Sequence, residues 1–317
     1  MKVFITRELP EIAFKILRKN NISYDYYHKD QPIPRRLLLQ KVKNCEALIS
    51  LLTEKIDKEV IDQMANCKII ANYAVGYNNI DIDYAKNRNI IVTNTPDVLT
   101  ESTADLTIAL VLACARRIIE GEFLLRKNKF KGWKPKLLLG IELRNKTFGI
   151  LGAGRIGSAV AVRAKSFGTN IIYCDSQRNM MLEKKANAKK VSSKKLLQRS
   201  DIISVHLPLN KKTFRYLGKE KLTQMKRNSI LINTSRGEII DESALIRLLK
   251  KRKQMFVGLD VFENEPKINL ELLKFPNVLV LPHIGSATHE ARNGMAELAV
   301  NNVINVLKKK PALSPVF

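Results

Sequence analysis

Three ionisable side chains in this sequence follow apolar runs at places where they could act together. Arg236 stands in Thr234-Ser235-Arg236-Gly237 after Ile230-Leu231-Ile232-Asn233. Glu265 lies in Asp260-Val261-Phe262-Glu263-Asn264-Glu265-Pro266 after Leu259, and His283 in Pro282-His283-Ile284-Gly285-Ser286 after Leu281. A guanidinium is a rigid fork that matches a carboxylate. An imidazole exchanges a proton near neutrality, and a neighbouring carboxylate orients it and favours its charged form. The set suits reduction of a 2-oxo acid. Arg236 would hold the acid and polarise its carbonyl, while His283, oriented by Glu265, would donate the proton to the oxygen that becomes a hydroxyl.

Such a reduction needs a hydride source. Phe148-Gly149-Ile150-Leu151 runs into Gly152-Ala153-Gly154-Arg155-Ile156-Gly157, a G-x-G-x-x-G motif between an apolar run and a helical one. There Gly152 permits the tight turn, Gly154 lets the backbone approach a pyrophosphate, and Gly157 allows close helix packing; helix N-terminal amides bind the phosphates. Ile171 to Cys174 leads to Asp175, about 18 residues beyond Gly157, where an acid accepts hydrogen bonds from the adenine ribose. Its charge would repel a 2′-phosphate, so NAD(H) is the preferred cofactor; Arg178 nearby leaves NADP(H) possible. Among the four histidines, His28 and His289 read as surface or cap residues. His206, with Pro208 beside it in Val205-His206-Leu207-Pro208, reads as part of the dinucleotide loop.

These residues converge only if the elements carrying them form parallel sheets, because ligands of open α/β sheets lie beyond the carboxyl ends of the strands. Residues 1–98 alternate short strands (Val3 to Ile5, Ala47 to Ser50, Ile69 to Ala71, Ile90 to Val92) with helical patterns. A long helical stretch from Glu101 to Lys127 follows. The alternation restarts at Lys146, with strands at Phe148 to Leu151, Ile171 to Cys174, Ile202 to Val205, Ile230 to Asn233, Phe256 to Leu259 and Val278 to Leu281. The expectation is an α/β protein of two doubly wound parallel sheets. A final helical pattern, Glu290 to Lys309, is placed to pack back on the first domain.

Taken in order, Gly152 to Gly157, Asp175, Val205 to Pro208, Asn233 to Gly237, Asp260 to Pro266 and Pro282 to Ser286 resemble the D-isomer-specific 2-hydroxyacid dehydrogenases over nearly the whole chain. Ala74 to Asp81, Asn94 to Asp105, Gly132-Trp133-Lys134-Pro135 and Gly294 to Glu297 look most like the glyoxylate and hydroxypyruvate reductases. The resemblance implies a flavodoxin-like substrate domain (1–98 and 288–317), a Rossmann-type cofactor domain (99–287), and a cleft between them. It matches Arg236, Glu265 and His283 to catalytic positions, and the amides around Val75 and Gly76 to the substrate carboxylate. Thr103, Arg155, Ile156, Asp175, Thr234, Asp260 and Gly285 match dinucleotide contacts. A tryptophan placed like Trp133 reaches a neighbouring subunit in related reductases, which implies a homodimer through residues 101–140. Asp175 departs from the Ser-Arg pair of many NADP-linked relatives. Two alternatives stay open: a 3-phosphoglycerate dehydrogenase-type enzyme and a non-catalytic NAD-sensing module.

Bulk properties exclude other classes. With 317 residues, 45% hydrophobic and 27% charged, the chain is neither collagen-like nor disordered, and is long enough for about two domains. Four cysteines without a C-x-x-C pair indicate no metal site and a reducing cytoplasm. No signal-peptide core follows Met1, and the longest apolar run, Leu106 to Ala115, is about half a membrane span. The net charge of +25 is scattered in short Lys groups without a nucleic-acid module. A solvated basic surface is expected, with no nucleic-acid or membrane partner.

Overall fold

Short runs rich in Ile, Val and Leu are flanked on both sides by helical sequence, the pattern of strands covered on two faces. The computed structural model describes residues 2–317 and forms two all-parallel sheets from them. The first contains β1 (Lys2–Ile5), β2 (Ser23–Tyr26), β3 (Ala47–Ser50), β4 (Ile69–Asn72) and β5 (Ile91–Thr93), in the order β2-β1-β3-β4-β5. The second contains β6 (Thr147–Leu151), β7 (Asn170–Cys174), β8 (Lys189–Lys190), β9 (Ile202–Val205), β10 (Ile230–Asn233), β11 (Phe256–Leu259) and β12 (Val278–Val280). Its order is β12-β11-β10-β9-β6-β7-β8.

The chain divides into two compact units, residues 1–99 with 287–317, and residues 100–286. In the first, Phe4, Leu48, Ile70 and Val92 point into a core shared with Val60, Ile61 and Met64. The terminal helix His289–Leu307 packs against β3, β4 and the helix Glu11–Lys19. In the second, the helices Thr100–Ala115 and Arg155–Ser166 supply Leu110, Val111, Val160 and Ala164 to one core around Phe148, Ile150, Tyr173, Ile202 and Ile232. Leu196, Leu222, Leu245 and Leu249 form another core with Leu151, Ile203, Leu231 and Val257. The strand alternation is thus used on both faces. The chain leaves β6 toward β7 on one side and returns to β9 on the other, so the strand order reverses between β6 and β9, where α/β sheets bind ligands.

The long helical stretch expected over 101–127 is two helices, Thr100–Ala115 and Ile118–Arg126, and needs correction. Arg117 between them is left-handed at φ 54. The Ala115 carbonyl, at the end of the first helix, accepts the Ile141 amide at 2.9 Å. Among the described residues no helix is long and apolar enough to cross a membrane.

Candidate active site

The glycine loop leaves β6 at the strand-order reversal. Gly152 is left-handed (φ 93), and a Cβ there would lie 2.6 Å from the His206 carbonyl oxygen. The two loops are locked together by the His206 amide donating to Leu151 O at 2.7 Å. At Gly157 a Cβ would come within 2.0 Å of the Gly152 carbonyl, whereas at Gly154 it would meet open space. The helix Arg155–Ser166 starts at Gly154 without a side-chain cap, with Arg155 and Ile156 in its first turn. Asp175, at the end of β7, accepts the Ala153 amide at 2.7 Å through Oδ2, and Ser176 Oγ at 3.2 Å through Oδ1. An open cradle, an uncapped helix N-terminus and an acid braced beside them are residues that fit a dinucleotide.

On the β9 side, His206 Nε2 lies 2.7 Å from Ser204 Oγ. Burial lowers its pKa to about 3, so it is neutral at physiological pH. Pro208 is exposed at the far end of the same loop. The Thr107 hydroxyl donates to Thr103 O at 2.8 Å and meets the Thr234 hydroxyl at 2.8 Å. This joins two expected cofactor contacts through a residue that the motif pattern did not single out. A Cβ on Gly285 would lie 3.2 Å from Asp260 Oδ2 and 3.4 Å from Thr103 Cγ2, so Thr103, Asp260 and Gly285 also adjoin.

His283 follows β12 in a left-handed conformation (φ 54). Its amide donates to Asp260 O at 2.9 Å, and the Asp260 carboxylate accepts the Ile284 amide at 2.8 Å and the Gly285 amide at 2.7 Å. Burial raises the Asp260 pKa while these two amides oppose it. Expected from the sequence as a dinucleotide contact, Asp260 is only 1% exposed, and its carboxylate braces the loop that carries His283.

The imidazole Nδ1 of His283 lies 2.7 Å from Glu265 Oε2, and Glu265 Oε1 accepts the Phe262 amide at 3.0 Å. Burial works to raise the Glu265 pKa. The hydrogen bond and charge of His283, the Phe262 amide and Arg236 outweigh it and hold the carboxyl below its ordinary range. Arg236 lies within electrostatic reach of Glu265; burial lowers its pKa, opposed by Glu265 and Glu238. Its Nη1 donates to Ser235 O at 2.7 Å, and its carbonyl accepts Asn233 Nδ2 at 2.8 Å. The Arg236 and Glu265 loops touch backbone to backbone: a Cβ at Gly237 would lie 1.9 Å from the Phe262 carbonyl carbon, so only glycine fits. A guanidinium, an imidazole and a carboxylate are therefore assembled on three adjacent strand ends.

Val75 and Gly76 belong to the first unit, in the turn after β4. Asn94 Nδ2 donates to Val75 O and Asn72 Nδ2 to Gly76 O, both at 2.8 Å. These side-chain amides fix the peptide planes of the turn. Trp133 is 81% exposed.

A family model described as D-isomer specific 2-hydroxyacid dehydrogenase, NAD binding domain, matches residues 108–285. A glyoxylate reductase of Thermococcus litoralis is 50% identical over 311 residues, which cover 97% of this chain and 94% of the relative. Among solved structures, the TT0316 protein from Thermus thermophilus superposes with a TM-score of 0.94 at 40% identity over 100% of both chains. A glyoxylate reductase from Paecilomyes thermophila has a TM-score of 0.89 at 32% identity, covering 100% of this chain and 98% of that one.

Proposed function

The chain belongs to the D-isomer specific 2-hydroxyacid dehydrogenase family and is an NAD(P)-dependent oxidoreductase, and on that premise we propose that it reduces glyoxylate, and hydroxypyruvate, with NADH. The observation that carries this reading is the 2.7 Å contact between His283 and Glu265, set on the sheet edge that also bears the glycine cradle. A bound nicotinamide supplies the hydride. Arg236 holds the substrate carboxylate and polarises the carbonyl. His283 gives its proton to the carbonyl oxygen, and Glu265 fixes the tautomer by accepting from Nδ1, which leaves Nε2 as the donor. Positioning and prearranged charge carry most of the acceleration.

Gly152, Gly154, Arg155, Ile156 and Gly157 would hold the cofactor's phosphates, with Thr103, His206, Pro208, Thr234 and Gly285 as further contacts. Asp175 supports NADH over NADPH, because a carboxylate braced against the glycine loop would repel a 2′-phosphate. The four free thiols suit a reducing cytoplasm. Self-association is supported by the helix Ile118–Arg126, which has no buried residue although it carries Ile118, Ile119, Phe123 and Leu125. Phe130 and Trp133, a few residues on, are exposed as well, and these are the apolar side chains that a homodimer would cover.

The test is a panel of glyoxylate, hydroxypyruvate, 3-phosphohydroxypyruvate and pyruvate with NADH, run on wild type and His283→Ala. The expected result is highest kcat/KM on glyoxylate or hydroxypyruvate, and roughly a 100-fold or greater loss of turnover in the variant with NADH still bound. Preference for the phosphorylated acid would favour the biosynthetic alternative. NADH binding without turnover on any member would favour a sensor.

A further inference from the structure

The rim beyond Asp175 carries two cations as well as the acid. Lys190, on the edge strand β8, donates from Nζ to Ser176 O at 3.1 Å. Arg178 is three residues past Asp175 and would be the natural partner for a 2′-phosphate, since a guanidinium binds phosphate through paired N–H groups. In this chain that fork is taken. Arg178 Nε lies 3.1 and 3.0 Å from the two oxygens of Glu183, and Nη2 lies 2.8 Å from Oε2.

Glu183 is itself held in place. Its Oε1 accepts the hydroxyl of the fully buried Tyr173 at 2.7 Å, and that hydroxyl accepts the Asn179 amide at 2.9 Å. Asn179 is anchored to the glycine loop, donating from Nδ2 to Ala153 O at 2.8 Å. A chain of hydrogen bonds thus runs from the phosphate cradle through Asn179 and Tyr173 to Glu183, and ends on the arginine. The side chain of Glu183 is 17% exposed against 65% for Arg178, so the acid is the fixed member and the arginine the tethered one.

We infer that Glu183 is a cofactor-specificity residue: it occupies the Arg178 fork and so withholds from a 2′-phosphate the cation best placed to bind it. The inference rests on the reading of Asp175 as the adenine-ribose acceptor. Discrimination against NADPH then has two separate origins, repulsion by Asp175 and sequestration of Arg178 by Glu183. Removing one leaves the other in force, so neutralising Asp175 alone yields only a partial switch.

The test measures Kd for NADPH and NADH by nucleotide fluorescence, without substrate, in Asp175→Ser, Glu183→Gln, their double variant, and the double variant with Arg178→Met. Glutamine keeps an acceptor for the Tyr173 hydroxyl while losing the charge that holds Arg178. Freeing a paired arginine should lower the ratio of Kd(NADPH) to Kd(NADH) by about three- to tenfold, in Glu183→Gln and again on top of Asp175→Ser. The gain from Glu183→Gln should vanish with Arg178→Met. An unchanged ratio in Glu183→Gln, an equal change for both nucleotides, or a gain that survives loss of Arg178 would each overturn the inference. A shifted ratio in Asp175→Ser beside an unmoved one in Glu183→Gln refutes the sequestration alone. No shift in Asp175→Ser refutes the ribose-acceptor reading itself.

Discussion

Glu265→Gln isolates the contribution of charge at the centre of the site. The substitution keeps the size of the side chain and an oxygen able to accept the Phe262 amide, so the loop that the carboxylate braces at 3.0 Å is retained. What goes is the charge facing His283 Nδ1 at 2.7 Å. A hydrogen bond to an ionised partner contributes roughly 1.5–3 kcal/mol, and about 1.4 kcal/mol is a factor of ten in rate. Turnover of glyoxylate should therefore fall roughly 10- to 150-fold. Because Glu265 is held below the ordinary carboxylate range, it is ionised across neutral pH in the wild type. Its contribution to rate and stability is present above the usual carboxyl pKa and is lost as pH falls through the depressed value. The variant should lack this acid-side component. Steady-state NADH oxidation across pH, beside a fluorescence titration of NADH, measures both effects. Turnover within twofold of wild type, or a loss of NADH affinity as large as the loss of turnover, would refute the orienting role.

Gly237→Ala should be destabilised by at least about 1–3 kcal/mol, because the new methyl meets backbone rather than a movable side chain; thermal melting measures this, and KM for glyoxylate should rise as Arg236 is displaced. The His206 pKa is near 3 in the fold and ordinary (6.5) in the unfolded chain, so the unfolded state takes up the extra proton and stability should drop as pH falls from 6.5 toward 3. The slope from this group is at most about 1.4 kcal/mol per pH unit; urea unfolding at pH 7 and pH 5 should show a smaller difference in His206→Asn, and an unchanged difference would contradict it. If the helix Ile118–Arg126 carries the proposed homodimer contact, Phe123→Asp, on a residue 54% exposed in a helix with no buried side chain, should give monomers in light scattering coupled to gel filtration where wild type gives dimers.

The site was legible where parallel-sheet geometry and turn chemistry coincide. Arg236, Glu265 and His283 each follow an apolar strand by a few residues, so reading strand ends put them on one edge. What escaped depends on partners distant in sequence. Asp260 reads in the sequence as a dinucleotide contact, and its bracing of the His283 loop emerges only where its carboxylate accepts the amides of Ile284 and Gly285. Thr107 lies mid-helix, and its hydroxyl matters only because Thr234 is folded against it. Asn72, at the end of β4, has no motif around it, and its side chain matters only because the chain turns back to put the Gly76 carbonyl against it. The edge strands Ser23–Tyr26 and Lys189–Lys190 were missed because their sequences are polar and their stability comes from pairing with β1 and β7. The break at Arg117 was hidden for a related reason: both flanks favour helix, and the Ala115 carbonyl is claimed by a segment more than twenty residues downstream.

The left-handed backbone at His283, pinned from both sides by Asp260, separates aim from surroundings. The imidazole's heading is set by main-chain torsion, a buried anchor and Glu265 rather than by the side chains that would line a substrate pocket. Those lining positions are thereby free to vary, so redesign toward bulkier keto acids can proceed around a proton donor that keeps its bearing.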